Sequence, residues 1–167
     1  MSAQQKVSFS SFIKMFPEVE LPITLTDDLH HVFSKNNDPI PVPMIQAFLL
    51  DEEEEQPDEF TEYIACFRLP KTEKFNAVLY WKAELLTYEY ILVTYDKKGS
   101  QISKRVVAGT KAIDDTLERT VATIDEDWII YCVRGVAPAD ENKTFDPSSS
   151  QSLSLEILAT GEIILSE

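Results

Sequence analysis

Residues 88–107, YEYILVTYDKKGSQISKRVV, constrain the fold most, because they combine two strand-like stretches with a tight turn between them. β-Branched and aromatic residues occupy successive positions in the first half, so both faces of that strand suit a buried sheet. Asp96 begins the four-residue turn and Gly99 ends it, which predicts a type I turn followed by a glycine bulge. We therefore predict a β-hairpin whose first strand is central in a sheet.

Alternation of apolar and polar residues with a period of two indicates further strands between residues 61 and 167. The predicted strands are at residues 61–69, 75–81, 119–124 and 127–136, with two short strands around Thr160 and Gly161. A positive φ at Gly161 would suit a two-residue turn. Residues 111–118, KAIDDTLE, are polar, and we predict a helical turn or a long loop there. The pattern predicts an antiparallel meander of about eight strands.

The first part of the chain, residues 1–50, shows apolar residues at helical spacing instead. Ser8 is a suitable N-cap for a short first helix, and Pro17 ends it. The apolar face of this helix comprises Phe9, Phe12, Ile13 and Phe16. Residues 18–26, EVELPITLT, predict a short edge strand or an extended segment, because proline restricts the backbone there.

A second helix is predicted to begin at Thr26 or Asp27, either of which can cap it. Asp27 and Asp28 would then lie in the first turn, where the helix dipole favours acidic side chains. The predicted apolar stripe of this helix consists of Leu29, Val32 and Phe33. Residues 43–50 fit either a strand or a third helix beginning near Pro43, and the spacing of their apolar residues favours the helix.

An acidic block, DEEEEQPDE at residues 51–59, is the most biased stretch of the chain. Mutual repulsion keeps such a stretch extended and hydrated, so we expect a surface loop at residues 51–60. This loop separates a helical opening, residues 1–50, from an antiparallel sheet, residues 61–167. A chain of 167 residues is expected to form a single domain. The predicted fold class is α+β, mainly β, with two or three short N-terminal helices packed on the sheet.

The chain carries 29 acidic and 15 basic side chains, a formal net charge of −14 at pH 7. This charge argues against nucleic acid as a partner, because phosphate binding requires basic patches. It disfavours anionic membrane surfaces for the same reason. The first residues lack the long apolar run of a secretory signal, so we expect a soluble cytoplasmic protein.

Motifs for catalysis, metals and cofactors are not recognisable in the sequence. His30 and His31 are adjacent, so they cannot form the i, i+4 pair of a helical metal site. The four glycines are far apart, which argues against a phosphate-binding loop. The acidic stretches lack EF-hand spacing. Cys66 and Cys132 lie in apolar strand patterns and are interpreted as buried thiols. We expect no catalytic residue, no metal and no cofactor.

By elimination, the sequence favours a non-enzymatic protein-binding module, for example an inhibitor or immunity-type protein for a basic partner. The residues predicted to contact the partner are Glu52, Glu53, Glu54, Glu55, Trp81 and Tyr90. One alternative is an enzyme or ligand-binding protein with a pocket near residues 137–152, a stretch rich in turn-forming residues. Another is a structural subunit that oligomerises through an exposed edge or face of the sheet.

Overall fold

The computed structural model of the protein describes residues 7–26, 28–51, 58–138 and 150–166. Its helical elements are α1 (Phe9–Lys14), α2 (Leu29–Asn36), α3 (Val42–Met44) and a π-helical turn (Ile45–Leu49) that continues α3. Nine strands lie in the described residues: β1 (Ile23–Leu25), β2 (Glu62–Arg68), β3 (Phe75–Ala83), β4 (Thr87–Asp96), β5 (Gln101–Ile113), β6 (Thr116–Ile124), β7 (Ile129–Pro138), β8 (Gln151–Ile157) and β9 (Ile163–Ser166).

The strands form one antiparallel sheet in which β2 to β9 follow each other in chain order. The ninth strand, β1, pairs with the end of β6 instead, with Leu25 opposite Ala122. The predicted α+β fold with an antiparallel meander is therefore confirmed. Such an order requires only local connections, which agrees with the short turns between the predicted strands.

The hairpin of β4 and β5 has the predicted turn and the predicted burial. Gly99 has a φ of +96°, and its amide donates to the Asp96 carbonyl oxygen at 3.1 Å. The Asp96 carboxylate accepts hydrogen bonds from the amides of Lys98 and Ser100, each at 2.9 Å. Both faces of β4 are buried, since Leu92 belongs to one core cluster and Val93 to the other. The prediction of a central strand is confirmed.

The first core cluster lies between the two halves of the sheet. It joins Leu79 and Leu92 from β3 and β4 with Ile124 and Ile130 from β6 and β7, all four fully buried. The Thr94 hydroxyl in β4 also donates, over 2.6 Å, to the carbonyl oxygen of Gly161 in the turn between β8 and β9, although neither of these strands is a neighbour of β4 in the strand order. The sheet therefore folds back so that β6 to β9 cover one face of β2 to β5.

The second core cluster lies on the opposite face of β2 to β4, under the N-terminal helices. Phe12 from α1 and Leu49 from the π-helical turn are fully buried there with Tyr80 from β3. The ring centroids of Phe12 and Phe48 are 4.8 Å apart. Ser8 caps α1 by accepting a hydrogen bond from the Ser11 amide at 3.1 Å. The first and third predicted helices are thus confirmed, the third with an unpredicted π-helical turn.

Segments between the helices cover the open edge of β2. The Asn37 side-chain amide donates to the carbonyl oxygens of Ala65 and Cys66, at 2.7 and 3.0 Å. The Ile40 amide donates to the Tyr63 carbonyl oxygen at 3.0 Å. These bonds satisfy edge groups that would otherwise be open to pairing with another chain.

Two predicted connections differ from the structure. Residues 111–118 are not a helical turn or a long loop, because β5 and β6 run through them and leave only Asp114 and Asp115 as a turn. Their polar side chains are exposed or half-buried on the paired strands, a pattern that resembles a loop in sequence. The reversal near Gly161 spans residues 158–162 rather than two residues. The Leu158 amide donates to the Glu162 carbonyl oxygen, and the Gly161 amide donates to the Leu158 carbonyl oxygen, each at 2.8 Å.

The second predicted helix exists as α2, but two of its details are wrong. Val32 is 50% exposed, because only the side of α2 that carries Leu29 and Phe33 packs on the core. Asp28 is the N-cap residue rather than a first-turn residue, and its side chain makes no capping hydrogen bond. The predicted roles of Asp27 lie outside the described residues.

Candidate functional site

Three large apolar side chains project into solvent at one end of the sheet. Phe60, Leu85 and Leu86 are 62%, 77% and 69% exposed. They surround a shallow cavity of about 310 Å³ whose rim includes carboxylates. We call this surface the acidic–apolar patch; it comprises Asp58, Phe60, Thr61, Glu84, Leu85, Leu86 and Thr87. Clusters of exposed apolar side chains with a polar rim are typical of interaction surfaces.

A short turn before β2 positions Phe60. The Asp58 carboxylate accepts hydrogen bonds from the Phe60 amide at 2.9 Å and from the Thr61 hydroxyl at 2.8 Å. The Thr61 hydroxyl, followed by the Phe60 amide, lowers the pKa of Asp58 below its usual value. Asp58 therefore stays ionised at neutral pH and holds the backbone that carries the exposed phenyl ring.

The connection between β3 and β4 positions the two leucines. The Glu84 amide donates to the Thr87 carbonyl oxygen at 2.8 Å, and the Ala112 amide donates to the Leu86 carbonyl oxygen at 2.9 Å. Leu85 and Leu86 thus sit on a backbone anchored to its own hairpin and to β5. Both leucines are exposed on an ordered turn. Because the turn is already ordered, binding a partner there has a lower entropic cost.

Acidic side chains dominate the surroundings of the patch. Asp58, Glu59, Glu62 and Glu84 are all exposed, and Glu62 lies opposite Ala83 in the pairing of β2 with β3. The Lys82 ammonium lies 3.2 Å from the Glu84 carboxylate, so one of these charges is paired. The acidic block ends in the sequence at Glu59, immediately before Phe60. The patch therefore combines negative charge with apolar anchors.

Trp81 and Tyr90 are two of the predicted partner contacts, and both lie in the first core cluster. They are only 6% and 3% exposed, because α2 and the residues before it cover this face. The His30 ring stacks on Trp81 with centroids 4.7 Å apart, and the Tyr90 hydroxyl donates to the Thr26 carbonyl oxygen at 3.1 Å. Tyr88, next to the patch in sequence, stacks on Trp81 at 5.9 Å and is 40% exposed.

Other predicted site residues lie outside the described part of the chain. The structure does not describe Glu52, Glu53, Glu54 and Glu55, and their contact with a partner stays a prediction. The alternative pocket near residues 137–152 falls mainly on residues 139–149, which also lie outside it. Sequence reasoning missed Phe60, Leu85 and Leu86. The available signal was the pair of adjacent leucines between the predicted strand at residues 75–81 and the hairpin at residues 88–107, because a period of two cannot bury both neighbours on one face.

Comparisons of the chain with protein-family models, with curated proteins and with solved structures find no match. The assignment of a site therefore rests on the geometry of this chain. Within the described ranges, no group of three or more His, Cys, Asp or Glu side chains is arranged to hold a metal ion. None of the helices in the same ranges has the length and apolar content that crossing a membrane requires.

Proposed function

We propose that the protein is a non-enzymatic, cytoplasmic protein-binding module whose acidic–apolar patch receives a basic, amphipathic segment of a partner protein. The observation that carries this proposal is the trio of exposed apolar side chains, Phe60, Leu85 and Leu86, held on anchored turns within a rim of carboxylates. An inhibitor or immunity-type protein that neutralises a cationic toxin or nuclease is one concrete form of this function.

The two chemical components of the patch have different roles in this proposal. Apolar anchors that become fully desolvated supply most of the binding free energy in protein interfaces. Rim carboxylates mainly accelerate association with a positive surface and exclude acidic partners. The net charge of −14 extends this attraction over the whole molecule. Glu52 to Glu55, next to the patch in the sequence, would add to the same field.

In this proposal, Trp81 and Tyr90 are buried near the patch and do not contact the partner through an open face of the sheet. The Trp81 ring contacts both the His30 ring and the half-exposed Tyr88 ring, and His30 and Tyr88 also lie 6.2 Å apart, all with near-parallel ring planes. A partner bound over Leu86 would also contact Tyr88, since only Thr87 lies between them in the chain. Aromatic side chains with one exposed edge are frequent in binding surfaces.

Binding of a synthetic peptide tests the proposal directly. The probe is a fluorescent helical peptide with leucines on one face and lysines on the other, compared with its leucine–glutamate counterpart. We expect the basic peptide to bind and its dissociation constant to rise steeply between low and high salt. The Leu85→Ser/Leu86→Ser variant should weaken binding about tenfold or more, since desolvated apolar anchors dominate affinity.

Val42→Ser is the matched control, because Val42 is also an exposed aliphatic side chain but lies on α3, outside the patch. It should leave peptide binding unchanged. Equal loss in both variants, or equal binding of the acidic peptide, would refute the patch as a site for basic partners. A concentration-dependent dimer that Leu85→Ser/Leu86→Ser abolishes would instead support the structural, oligomerising alternative.

A further inference from the structure

A second cavity lies at the opposite end of the β2–β3 hairpin and has the reverse charge. Its volume is about 610 Å³, and it lies between α1, the β2–β3 loop and the β4–β5 turn. Four of its lining residues are cationic: Lys14, Arg68, Lys71 and Lys97. One lining residue, Glu18, is acidic. In a chain with 29 acidic and 15 basic side chains, this concentration of positive charge requires an explanation.

The backbone segments that carry these cations are well anchored. The Arg68 amide donates to the Pro17 carbonyl oxygen at 2.8 Å, and the Val19 amide donates to the Arg68 carbonyl oxygen at 3.1 Å. The Thr72 hydroxyl donates to the Phe75 carbonyl oxygen at 2.8 Å and accepts from the Phe75 amide at 3.0 Å, which closes the β2–β3 loop. The backbone that carries Arg68 and the loop that carries Lys71 are thus held by hydrogen bonds.

Lys97 connects the two loops that form the cavity wall. Its ammonium donates to the Thr72 carbonyl oxygen in the β2–β3 loop. Partial desolvation and then the nearby Lys71 ammonium lower the pKa of Lys97, while Glu73 acts in the opposite direction. The lysines of the two loops are therefore close enough to repel each other, and an anion between them would relieve that repulsion.

The charges that line this cavity are available to a ligand. Within the described ranges, Lys14, Arg68 and Lys71 form no ion pair with a carboxylate, whereas Lys82, Lys104 and Arg134 each do. The lysine side chains are exposed and Arg68 is half-buried, so all of them are accessible to a ligand. Arg and Lys together suit phosphate oxygens, since the guanidinium binds two oxygens at once and the ammonium acts as a point charge.

The remaining lining residues indicate that the anion carries an organic part. Phe9, Ile13 and Leu69 give the cavity an apolar wall, and Ser10 and Asn76 add neutral hydrogen-bonding groups. A volume of about 610 Å³ lies within the range typical of small-molecule sites. Free inorganic phosphate would leave the apolar wall without a contact.

We propose that this cavity is a binding site for a small organic phosphate, with Lys14, Arg68, Lys71 and Lys97 around the phosphate group and Phe9, Ile13 and Leu69 against its apolar part. The site is distinct from the acidic–apolar patch, and neither proposal depends on the other. The phosphate site adds a ligand-binding function to the proposed binding of a protein partner. A bound phosphate would also reduce the local repulsion and stabilise the two loops.

Isothermal titration with phenyl phosphate and with inorganic phosphate tests the proposal. We expect phenyl phosphate to bind with a dissociation constant below about 1 mM, and inorganic phosphate to bind at least about threefold more weakly. The Lys14→Gln/Lys71→Gln variant should weaken phenyl phosphate binding about tenfold or more. Phenyl phosphate should also raise the melting temperature of the unmodified protein more than that of this variant.

Lys35→Gln/Lys74→Gln is the matched control, because it removes the same charge from exposed lysines that do not line the cavity. It should keep wild-type affinity for phenyl phosphate. Equal weakening in the two double variants would show general charge attraction and overturn the site. The absence of phenyl phosphate binding at millimolar concentration would also overturn the site. Peptide binding at the acidic–apolar patch should be equal in both double variants. Failure of the phosphate site is therefore distinguishable from failure of the patch as a peptide site.

Discussion

Trp128 occupies the left-handed turn position that Gly99 occupies in the turn between β4 and β5. The φ angles are +67° for Trp128 and +96° for Gly99. In each turn, an aspartate begins the reversal, and the amide of the left-handed residue donates to that aspartate's carbonyl oxygen. The Asp125 carboxylate also accepts from the amides of Asp127 and Ile129, as Asp96 accepts from Lys98 and Ser100. One turn thus uses a bulky side chain where the other uses glycine.

The first prediction concerns Trp128, where packing of the ring stabilises the fold and the left-handed backbone destabilises it. Its ring lies 5.7 Å from the Phe75 ring and packs against the first core cluster. Trp128→Ala should destabilise the protein by about 2–4 kcal/mol, because it loses that packing and keeps the left-handed backbone. Trp128→Gly should be about 1 kcal/mol more stable than Trp128→Ala, since only glycine adopts this φ without strain. Urea unfolding of the two variants measures the difference, and a less stable glycine variant would contradict it.

The second prediction concerns Gly109, where β5 passes close to β4. A Cβ atom at this position would lie 2.1 Å from the Tyr88 carbonyl oxygen, and the φ of +149° disfavours any other residue. Gly109→Ala should therefore cost at least about 3 kcal/mol of unfolding free energy, since backbone has to move to admit the methyl group. Gly135→Ala, inside β7, should change stability by less than about 1 kcal/mol. Chemical unfolding of both variants would reveal the contrast, and equal effects would refute the steric argument.

The third prediction concerns Asn37, which bonds two carbonyl oxygens at the edge of β2. Asn37→Ala should lower the free energy of unfolding by about 1–3 kcal/mol, because both carbonyls lose their donor. It should also increase light scattering during mild heating, since the β2 edge opens to other chains. Asn36→Ala, on the exposed last residue of α2, should stay within about 0.5 kcal/mol of wild type. Comparable scattering from both variants would argue against edge protection by Asn37.

Features that depend on neighbouring residues were readable from the sequence. The Asp96–Gly99 turn and the Ser8 cap involve contacts within a few positions, and the strands β2 and β3 were predicted from the side-chain pattern within each segment. Local backbone preference and period-two patterning carry that information directly. The same reasoning failed at residues 111–118, where half-exposed strands and a two-residue acidic turn have the composition of a loop. Composition alone did not distinguish half-exposed strands from a loop.

Features that depend on distant parts of the chain were not readable. The burial of Trp81 follows from His30 on α2, 51 positions away, and no local pattern reports where α2 docks. The Asn37 bonds to β2 and the packing of β6 to β9 over β2 to β5 arise in the same way. For the candidate sites, the cations around the second cavity come from three separate segments: α1, the end of β2 with the loop that follows it, and the β4–β5 turn. Only the fold brings these cations together, so the net charge of −14 gave no sign of a positively charged cavity.

The last prediction concerns the acid dependence of the β4–β5 turn. Hydrogen bonds from the backbone amides, first from Ser100 and then from Lys98 and Gly99, lower the pKa of Asp96 below its usual value. A carboxylate with a lowered folded-state pKa stabilises the fold fully above its usual pKa near 4 and loses this contribution as the pH falls further. Asp96→Asn should therefore differ most from wild type at pH 7, and the difference should narrow toward pH 3. Urea unfolding across this range, with Asp115→Asn as the charge control, measures the effect. A difference that stays constant with pH would show that the Asp96 charge does not stabilise the turn.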